Sequence, residues 1–466
     1  MNGLFILNEV PSHVNATLSI LMNQLFGTDG IRGVANEYPI TPEVALRIGR
    51  AVARVLSAKD KGRHKVVIGK DTRVSGYMLE TALTSGLVSE GARVLLTGPV
   101  PTPAVAHLTK SMACDAGIML TASHNPFADN GIKIFGPDGY KLNDALEEEV
   151  EKIILGDDPT PAKVRLGKAF RIDDATGRYI EFAKASIGTQ NLRDLKVVVD
   201  CAHGAGYFVG PLIFEELGAE VIKLGTSPDG YNINEGVGSL HPEQAASLVK
   251  EHQADIGICL DGDADRVIFV DGNGQVISGD RILCLCAIAL KGQGKLRGDT
   301  LVTTVMSNLG LRDALASHGI SLEQTQVGDR HVLERMREGD FSFGGENSGH
   351  LIFSDFATTG DGIVSALMVL SVIKTSGKSL SELADCMTEY PSELVGLTVK
   401  EKPPLESIPA IKNAMDDAET DLGQNGRILV RYSGTEKKLR ILVEAKNAVD
   451  AKHHCSAIQA AASIIQ

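Results

Sequence analysis

Three aspartates stand at every second position of the segment DGDADR, at Asp261, Asp263 and Asp265. On an extended backbone alternate side chains point the same way, so these carboxylates would converge. Converging carboxylates repel one another unless a cation lies among them, and such oxygen ligands suit Mg²⁺ when a phosphate supplies a further ligand. A calcium EF-hand is excluded, because Arg266 stands where that loop needs glycine and Gly272 where it needs the closing glutamate. The segment therefore predicts a magnesium site, with an acidic surface turn as the plainer alternative.

A serine that could carry a phosphoryl group lies in the segment TASHNP, residues 121–126. The Asn-Pro pair favours a turn, which would leave Ser123 exposed at the corner where an apolar strand ends. A serine there can act as a nucleophile or hold phosphate, or it can simply cap the turn. The segment lacks a GxSxG elbow, so a hydrolase triad is a poor fit. Lys133, in the following NGIK segment, is a candidate acid, base or charge partner.

Two other glycine-flanked segments could bind parts of a sugar phosphate. In GENSGH, residues 345–350, Glu346 and Ser348 could bind sugar hydroxyls, and His350 could relay protons. In FGTDGIRG, residues 26–33, Arg32 could neutralise a phosphate. Each segment taken alone is equally compatible with a structural turn.

The segment RYSGTE, residues 431–436, has the composition of a phosphate-binding loop. It combines a guanidinium fork, two hydroxyls and a glycine that lets backbone N–H groups approach an anion. These groups belong to Arg431, Ser433, Gly434 and Thr435, and Arg440 follows on the next strand.

The elements that must position these segments alternate between apolar strand-like runs and helical patterns, which is typical of parallel α/β units. The strand-like runs come in three groups of three: 65–69, 92–96 and 116–121; 196–200, 219–224 and 254–260; 300–305, 323–327 and 341–345. In each group the third run leads into a polar loop, and the unequal spacings indicate triplicated domains, not a solenoid. Since ligands gather at the carboxyl ends of strands in open α/β sheets, the three loops should form one composite site.

We therefore expect an α/β fold of three similar mixed-sheet domains plus a C-terminal α+β domain around a central cleft. The predicted divisions are a flexible extension over 1–21, a serine-loop domain over 22–155, an α/β domain leading to the aspartates over 156–258, a sugar-binding domain over 259–377 and a phosphate-binding domain over 378–466.

The composition narrows the class of protein and of partner. A chain of 466 residues is too long for a single core, and no apolar run approaches the roughly 18 residues that cross a bilayer. The N-terminus does not resemble a signal peptide, and seven scattered cysteines suit a reducing cytoplasm. A net charge of −13 argues against a nucleic-acid partner but allows an anionic small molecule bound by locally gathered positive charge.

The order and spacing of five segments resemble those of the α-D-phosphohexomutase superfamily from about residue 22 to the end. The segments are FGTDGIRG, TASHNP with NGIK, DGDADR, GENSGH and RYSGTE. Four further segments resemble the bacterial phosphoglucosamine mutases within it: VVVDCAHGAGY (197–207), GYNINEGVGSLHPE (230–243), VGDRHVLE (327–334) and TTGDGIVSALMVL (358–370). A phosphomannomutase or phosphoglucomutase is the alternative within the same superfamily.

The resemblance implies an isomerase that interconverts glucosamine 6-phosphate and glucosamine 1-phosphate, on the route to UDP-N-acetylglucosamine and the cell wall. A phosphorylated Ser123 would exchange its phosphoryl group with the sugar through a hexose 1,6-bisphosphate, which also serves as activator. One Mg²⁺ per subunit would be held by Asp261, Asp263 and Asp265 against that phosphoserine. Small sugar phosphates are the implied partners, with neither nucleic acid nor membrane, and a homodimer is compatible with the family.

The resemblance also assigns roles to the remaining candidates. Arg32 and Arg266 would steady the transferring group, while proton transfer would fall to Lys133 and to His124 or His350. Sugar hydroxyls would be bound by Glu346 and Ser348, and the non-reacting phosphate by Arg431, Ser433, Gly434 and Thr435. The family loop usually reads SGTEP, whereas Lys437 and Lys438 follow Glu436 here, a change that bears on affinity.

Two rival functions use part of the same pattern. A metal-dependent sugar phosphatase could use DGDADR for an aspartyl nucleophile, but no threonine follows at its usual place, and TASHNP and RYSGTE would have no role. A non-catalytic sugar-phosphate sensor is disfavoured because every chemical position is filled.

Overall fold

The computed structural model describes residues 25–27, 29–59, 62, 64–156, 166–433 and 437–465. The predicted extension over residues 1–21 lies outside this part. The chain forms two compact units. The first comprises residues 1–277, 328–334 and 348–380, and the second comprises residues 278–327, 335–347 and 381–466.

The first unit begins with a six-stranded mixed sheet in the order β1-β5-β4-β2-β3-β6. Strands β4, β2, β3 and β6 are parallel neighbours, and β5 pairs antiparallel with both β4 and β1. The strands are β1 (Ile31–Val34), β2 (Lys65–Lys70), β3 (Arg93–Pro99), β4 (Ala116–Leu120), β5 (Asp129–Phe135) and β6 (Lys168–Arg171). The accompanying helices are α1 (Pro42–Lys59), α2 (Ser75–Ser89), α3 (Thr102–Ser111) and α4 (Asp144–Leu155).

A second, five-stranded sheet of the same unit has the order β11-β10-β9-β7-β8. Its central parallel strands β7 and β9 are buried on both faces and are therefore nearly continuous apolar runs, as in Val197–Val199 and Ile256–Leu260. The strands are β7 (Lys196–Asp200), β8 (Glu220–Leu224), β9 (Ile256–Leu260), β10 (Val267–Asp271) and β11 (Val276–Ile277). The helices are α5 (Ala175–Ala185), α6 (Val209–Glu216) and α7 (Glu243–His252).

The second unit contains a third parallel sheet and the C-terminal sheet. Strand β12 (Thr300–Thr304) pairs in parallel with β13 (Ser321–Thr325) and β14 (Phe343–Gly345), between helices α8 (Gly279–Gly292) and α9 (Leu309–Ser317). Next in sequence is α10 (Asp329–Glu338), which begins in the first unit and ends in the second. Strand β15 (Leu351–Phe353) and helix α11 (Gly362–Ser376) belong to the first unit, and α12 (Leu380–Ala384) follows them. The C-terminal sheet is antiparallel in the order β16-β18-β17 and packs on two helices; these elements are β16 (Ser392–Thr398), α13 (Pro409–Leu422), β17 (Gly426–Tyr432), β18 (Lys438–Ala445) and α14 (Ala448–Ala461).

The α/β class and the mixed sheets predicted from the sequence are confirmed, while the central cleft stays a prediction. Two details differ. The strand expected over 323–327 lies at Ser321–Thr325, and the division expected after residue 258 passes through β9. That strand pairs antiparallel with β10, so the aspartate segment between them belongs to the second sheet. In the described part of the chain, no helix is both long enough and apolar enough to cross a bilayer.

Helices α1 and α2 approach each other closely at a pair of glycines. A Cβ atom added to Gly86 would lie 2.2 Å from the carbonyl oxygen of Leu46, and one added to Gly49 would lie 2.3 Å from that of Leu83. Because real Cβ atoms do not come so near backbone oxygen, only glycine allows this packing.

We expect Gly86→Ala to destabilise the protein by about 1–3 kcal/mol, because the added methyl group meets backbone that cannot move aside. Gly177→Ala is the matched control, since it adds the same group to α5 with no heavy atom within 4 Å. The control should stabilise the protein by about 0.5–1 kcal/mol. Urea unfolding measures both changes, and a stabilised Gly86→Ala variant would contradict the close contact.

Candidate active site

Ser123 lies in the loop between β4 and β5, at the carboxyl end of β4. Its backbone has a φ of +52°, which an L-residue rarely adopts, and its N–H donates to Oγ1 of Thr121 at 2.9 Å. The side chain is only 1% exposed, so the exposed corner serine expected from the sequence is wrong in that respect. Its hydroxyl donates to Oδ2 of Asp261 at 2.6 Å, across 138 residues of sequence.

The loop that carries Ser123 is shaped by a fully buried arginine, Arg73, which the sequence analysis missed. Its guanidinium donates to the carbonyl oxygens of Ser123 at 3.0 Å and Asn125 at 2.7 Å, and also to that of Pro126. Asp71 accepts from the Nε of Arg73 at 2.8 Å, which fixes the guanidinium. The signal was present, because Arg73 follows the buried strand β2 at the same sheet edge as Ser123.

The three aspartates lie in the loop between β9 and β10, where they converge as predicted. One oxygen from each lies within 4.8 Å of the others, and all three side chains are buried. Oδ1 of Asp263 and Oδ1 of Asp265 are buried and have no hydrogen-bond partner among the described residues. Burial and the neighbouring Asp265 and Asp263 carboxylates raise the pKa of Asp261 well above its usual value. Two unsatisfied carboxylate oxygens in such a cluster fit a hard divalent cation.

Lys133 lies among these carboxylates as their counter-charge. Its Nζ is 3.0 Å from Asp263, 3.2 Å from Asp265 and 3.3 Å from Asp29. Burial disfavours the ammonium form, but the three carboxylates outweigh burial and hold the pKa of Lys133 well above its usual value. Of the three roles left open by the sequence, the charge partner is therefore the one that this geometry favours.

His124 contacts Ser123 and is a neutral imidazole. Its Nδ1 lies 3.3 Å from Oγ of Ser123 and 3.3 Å from Nη1 of Arg266. Burial and the positive charges of Arg266 and Arg32 lower the pKa of His124 to about 4. Because an arginine only donates, Nδ1 accepts from Arg266.

Asp29 and Arg32, in the segment FGTDGIRG, form an ion pair. Asp29 also accepts from Lys141 at 2.6 Å, and the nearby Lys133, Lys141 and Arg32 cations outweigh burial and hold its pKa well below the usual range. Arg32 was predicted from the sequence, whereas Asp29 and Lys141 were not.

His350 approaches the metal segment from the loop before β15. Its Nδ1 is 3.8 Å from Oδ1 of Asp265, its Nε2 is 3.7 Å from Oδ2 of Asp329, and the N–H of Gly360 donates to Nε2 at 3.1 Å. Asp329 lies in VGDRHVLE, one of the segments that resemble the family, but no role for it was predicted from the sequence. Ser348, two residues earlier, has a buried hydroxyl without a hydrogen-bond partner in the described part.

The other predicted substrate-binding residues lie in the second unit. Glu346 follows β14 and is 8% exposed. Arg431 on β17 lies directly opposite Arg440 on β18, so two guanidinium groups share one face of the sheet. Guanidinium groups placed side by side can bind a phosphate through forked hydrogen bonds, which favours a phosphate site. Lys402, which the sequence analysis missed, donates to the carbonyl oxygen of Ser433 at 2.6 Å, while Gly434 and Thr435 lie outside the described residues.

Family models match most of the chain, in an order that parallels the sheets. They are the phosphoglucomutase/phosphomannomutase α/β/α domain I over residues 23–160, domain II over 177–274, domain III over 278–390 and the C-terminal domain over 394–461.

Relatives of known name extend the same comparison over nearly the whole chain. The phosphoglucosamine mutase of Syntrophotalea carbinolica is 52% identical over 92% of this chain and 95% of its own length. The phosphoglucosamine mutase of Sorangium cellulosum is 55% identical over 91% of this chain and 90% of its own length. The crystal structure of a phosphoglucomutase/phosphomannomutase family protein from Burkholderia thailandensis is 26% identical, with a TM-score of 0.80 over 94% of this chain and 97% of that one. The chain therefore belongs to the phosphoglucomutase/phosphomannomutase family and, within it, to the phosphoglucosamine mutases, which are isomerases.

Proposed function

We propose that this phosphohexose mutase interconverts glucosamine 6-phosphate and glucosamine 1-phosphate through a phosphorylated Ser123 and a glucosamine 1,6-bisphosphate intermediate. One observation carries the proposal: the Ser123 hydroxyl lies 2.6 Å from one of three buried carboxylates, with an ammonium group on their other side. A phosphoserine at this point would be adjacent to every charge that phosphoryl transfer requires. Free thiols at all seven cysteines suit such an enzyme in the cytoplasm.

The donor set fits Mg²⁺, which Asp261, Asp263 and Asp265 would hold together with the phosphate on Ser123. When bound, the ion would neutralise charge on the transferring group and offset the repulsion among its ligands. Lys133 stays positive beside two of these carboxylates and holds them in place when the phosphate leaves. Arg266 is fixed by its contact with Nδ1 of His124.

The first transfer breaks the bond between phosphorus and Oγ of Ser123 and forms one to a sugar hydroxyl. The hydroxyl proton must leave, and Oγ must gain a proton or hydrogen bond. Neutral His124, 3.3 Å from Oγ, is placed to exchange that proton, with His350 as the second proton-transfer candidate. The bisphosphate then presents its other phosphate to Ser123, and the reverse transfer restores the phosphoserine.

Binding in two orientations requires recognition away from the transferring phosphate. We assign the sugar hydroxyls to Glu346 and Ser348; the buried hydroxyl of Ser348 has no hydrogen-bond partner in the part of the chain that the structure describes. We assign the second phosphate to the loop that contains Arg431 and Ser433, with Gly434, Thr435 and Arg440. The guanidinium groups of Arg431 and Arg440 could donate forked hydrogen bonds to either phosphate of the bisphosphate.

The choice of glucosamine as the sugar is supported by the named relatives. With Mg²⁺ and a trace of hexose 1,6-bisphosphate, glucosamine 6-phosphate should give a higher kcat/KM than glucose or mannose 6-phosphate. A clear preference for the mannose compound would leave a phosphohexose mutase and overturn the assigned sugar.

Replacing Ser123 by alanine should lower turnover on the order of 10³-fold or more, because the covalent phosphate carrier is lost. Ser85→Ala, on the exposed face of α2, is the matched control and should keep full activity. Labelled phosphate from the bisphosphate should stay on the wild-type protein in acid, as phosphoserine does. A label located on an aspartate would instead support the sugar phosphatase, and full turnover by Ser123→Ala would refute the serine route.

Chelating divalent metal with EDTA should abolish turnover, and Mg²⁺ should restore it. The ion should also stabilise the folded protein by about 2.7 kcal/mol at one hundred times its Kd, because it binds only the converged carboxylates. Calorimetric scans with and without Mg²⁺ measure this, and Asp261→Asn should lose the effect. Asp194→Asn, an exposed carboxylate remote from the three ligands, should retain it; equal responses of the two variants would contradict the assigned ligands.

A further inference from the structure

Three aspartates alternate with two lysines and a histidine in a closed ring at the predicted phosphoryl-transfer centre. In order they are Asp265, Lys133, Asp29, Lys141, Asp329 and His350, and we call this set the charge ring. The six contacts between successive members measure 3.2, 3.3, 2.6, 2.5, 3.7 and 3.8 Å. Three members, Asp29, Lys141 and Asp329, have no role in the steps derived above.

Lys141 joins the two halves of the charge ring. Its Nζ donates to Asp29 at 2.6 Å, in the loop before β1, and to Asp329 at 2.5 Å, at the first residue of α10. The lysine side chain is 14% exposed, so water screens these two contacts weakly. These are the two shortest contacts in the charge ring, and both carboxylates bind the same ammonium group.

Each aspartate passes this constraint to residues nearer the chemistry. Asp29 pairs with Arg32 and lies 3.3 Å from Lys133, the counter-charge of the metal ligands. Asp329 lies 3.7 Å from Nε2 of His350, whereas Asp265 lies near the other ring nitrogen, Nδ1. Through these two aspartates, Lys141 influences the positions of Arg32, Lys133 and His350 together. In the described structure Lys141 itself contacts none of the proposed metal ligands.

We propose that Lys141 is a positioning residue for phosphoryl transfer, which holds Arg32, Lys133 and His350 in register by binding Asp29 and Asp329 together. The inference rests on the proposed function and extends it to residues remote from Ser123. Without the lysine, Asp29 and Asp329 would lose their shared counter-ion and repel each other. Asp29 would then rely on Lys133 and Arg32 alone, and would draw both away from the transferring group.

Lys141→Met is the direct test, because it keeps most of the apolar stem and removes the charge. Misplacing the reacting groups by about 1 Å costs up to about 100-fold, so kcat should fall about 10- to 100-fold. KM for glucosamine 6-phosphate should stay within about 3-fold of the wild-type value, since Lys141 does not take part in the assigned substrate contacts. Lys141→Arg, which keeps the charge, should recover most of the lost kcat.

A double-mutant cycle separates positioning by charge from a loss of general stability. Asp329→Asn alone should also lower kcat, because Lys141 loses one of its two partners. The double variant Lys141→Met/Asp329→Asn removes both charges, so its loss should be clearly smaller than the product of the two single losses. Lys184→Met is the matched control, a lysine paired with Glu181 and Glu216 outside the site, and should leave kcat unchanged.

The outcomes distinguish this inference from the function on which it rests. A wild-type protein inactive on every hexose phosphate would refute the proposed function itself. If the wild type is active and Lys141→Met keeps full activity, the charge ring is not a positioning device. The same holds if the fall in kcat of the double variant equals the product of the falls of the two single variants. If circular dichroism shows that Lys141→Met does not fold, Asp329→Asn and Lys141→Arg carry the test. Asp329→Asn should then show a lowered kcat with a near-constant KM, and Lys141→Arg should show near-normal activity.

Discussion

Repulsion among three buried carboxylates is the constraint on which the rest of the active site depends. Asp261, Asp263 and Asp265 could not stay together in a protein interior without positive charge and hydrogen-bond donors around them. The fold supplies Lys133 as one buried cation and the hydroxyls of Ser123 and Thr102 as donors to Oδ2 of Asp261 and Asp263. Among the described residues, one oxygen on each of Asp263 and Asp265 has no hydrogen-bond donor, so the arrangement that stabilises the cluster also leaves ligands for a cation.

Two strained turns bring that cluster to the serine. Ser123 and Ala264 both have positive φ values, of 52° and 56°, which cost energy for residues other than glycine. The first turn is held by the carbonyl bonds of Arg73, and the second by the N–H of Gly362, which donates to the carbonyl oxygen of Ala264 at 2.9 Å. Buried hydrogen bonds around each turn therefore stabilise the backbone that aims a serine from one sheet at an aspartate from the next.

The strands and the main chemical segments could be predicted because their signals are local. A run such as KVVVD at 196–200 shows its buried parallel character in five residues, and the spacing of the three aspartates already requires convergence. The burial of Ser123 could not be predicted locally, since Arg73 lies 50 residues before the carbonyl that it binds. Lys141 and Asp329, 188 residues apart, were missed for the same reason: pairing of distant charges leaves no pattern in either segment. The division predicted after residue 258 passes through β9, and the antiparallel pairing of β9 with β10, which keeps both sides of that border in one sheet, is not visible in the local sequence.

The charge ring also bears on how an enzyme with a net charge of −13 would handle the proposed doubly phosphorylated intermediate. Lys133 and Arg32 at the transfer site are already paired with carboxylates, so their pull on phosphate is moderated before any ligand arrives. Tight and uniform attraction would bind substrate and intermediate equally and would not accelerate transfer. A mutase must in addition let go of one phosphate in order to bind the other at the same place. Cations that Asp29 and Asp265 hold in fixed positions meet both demands. Their orientation stabilises the transferring group, and the small net charge of each ion pair does not hold the bisphosphate tightly.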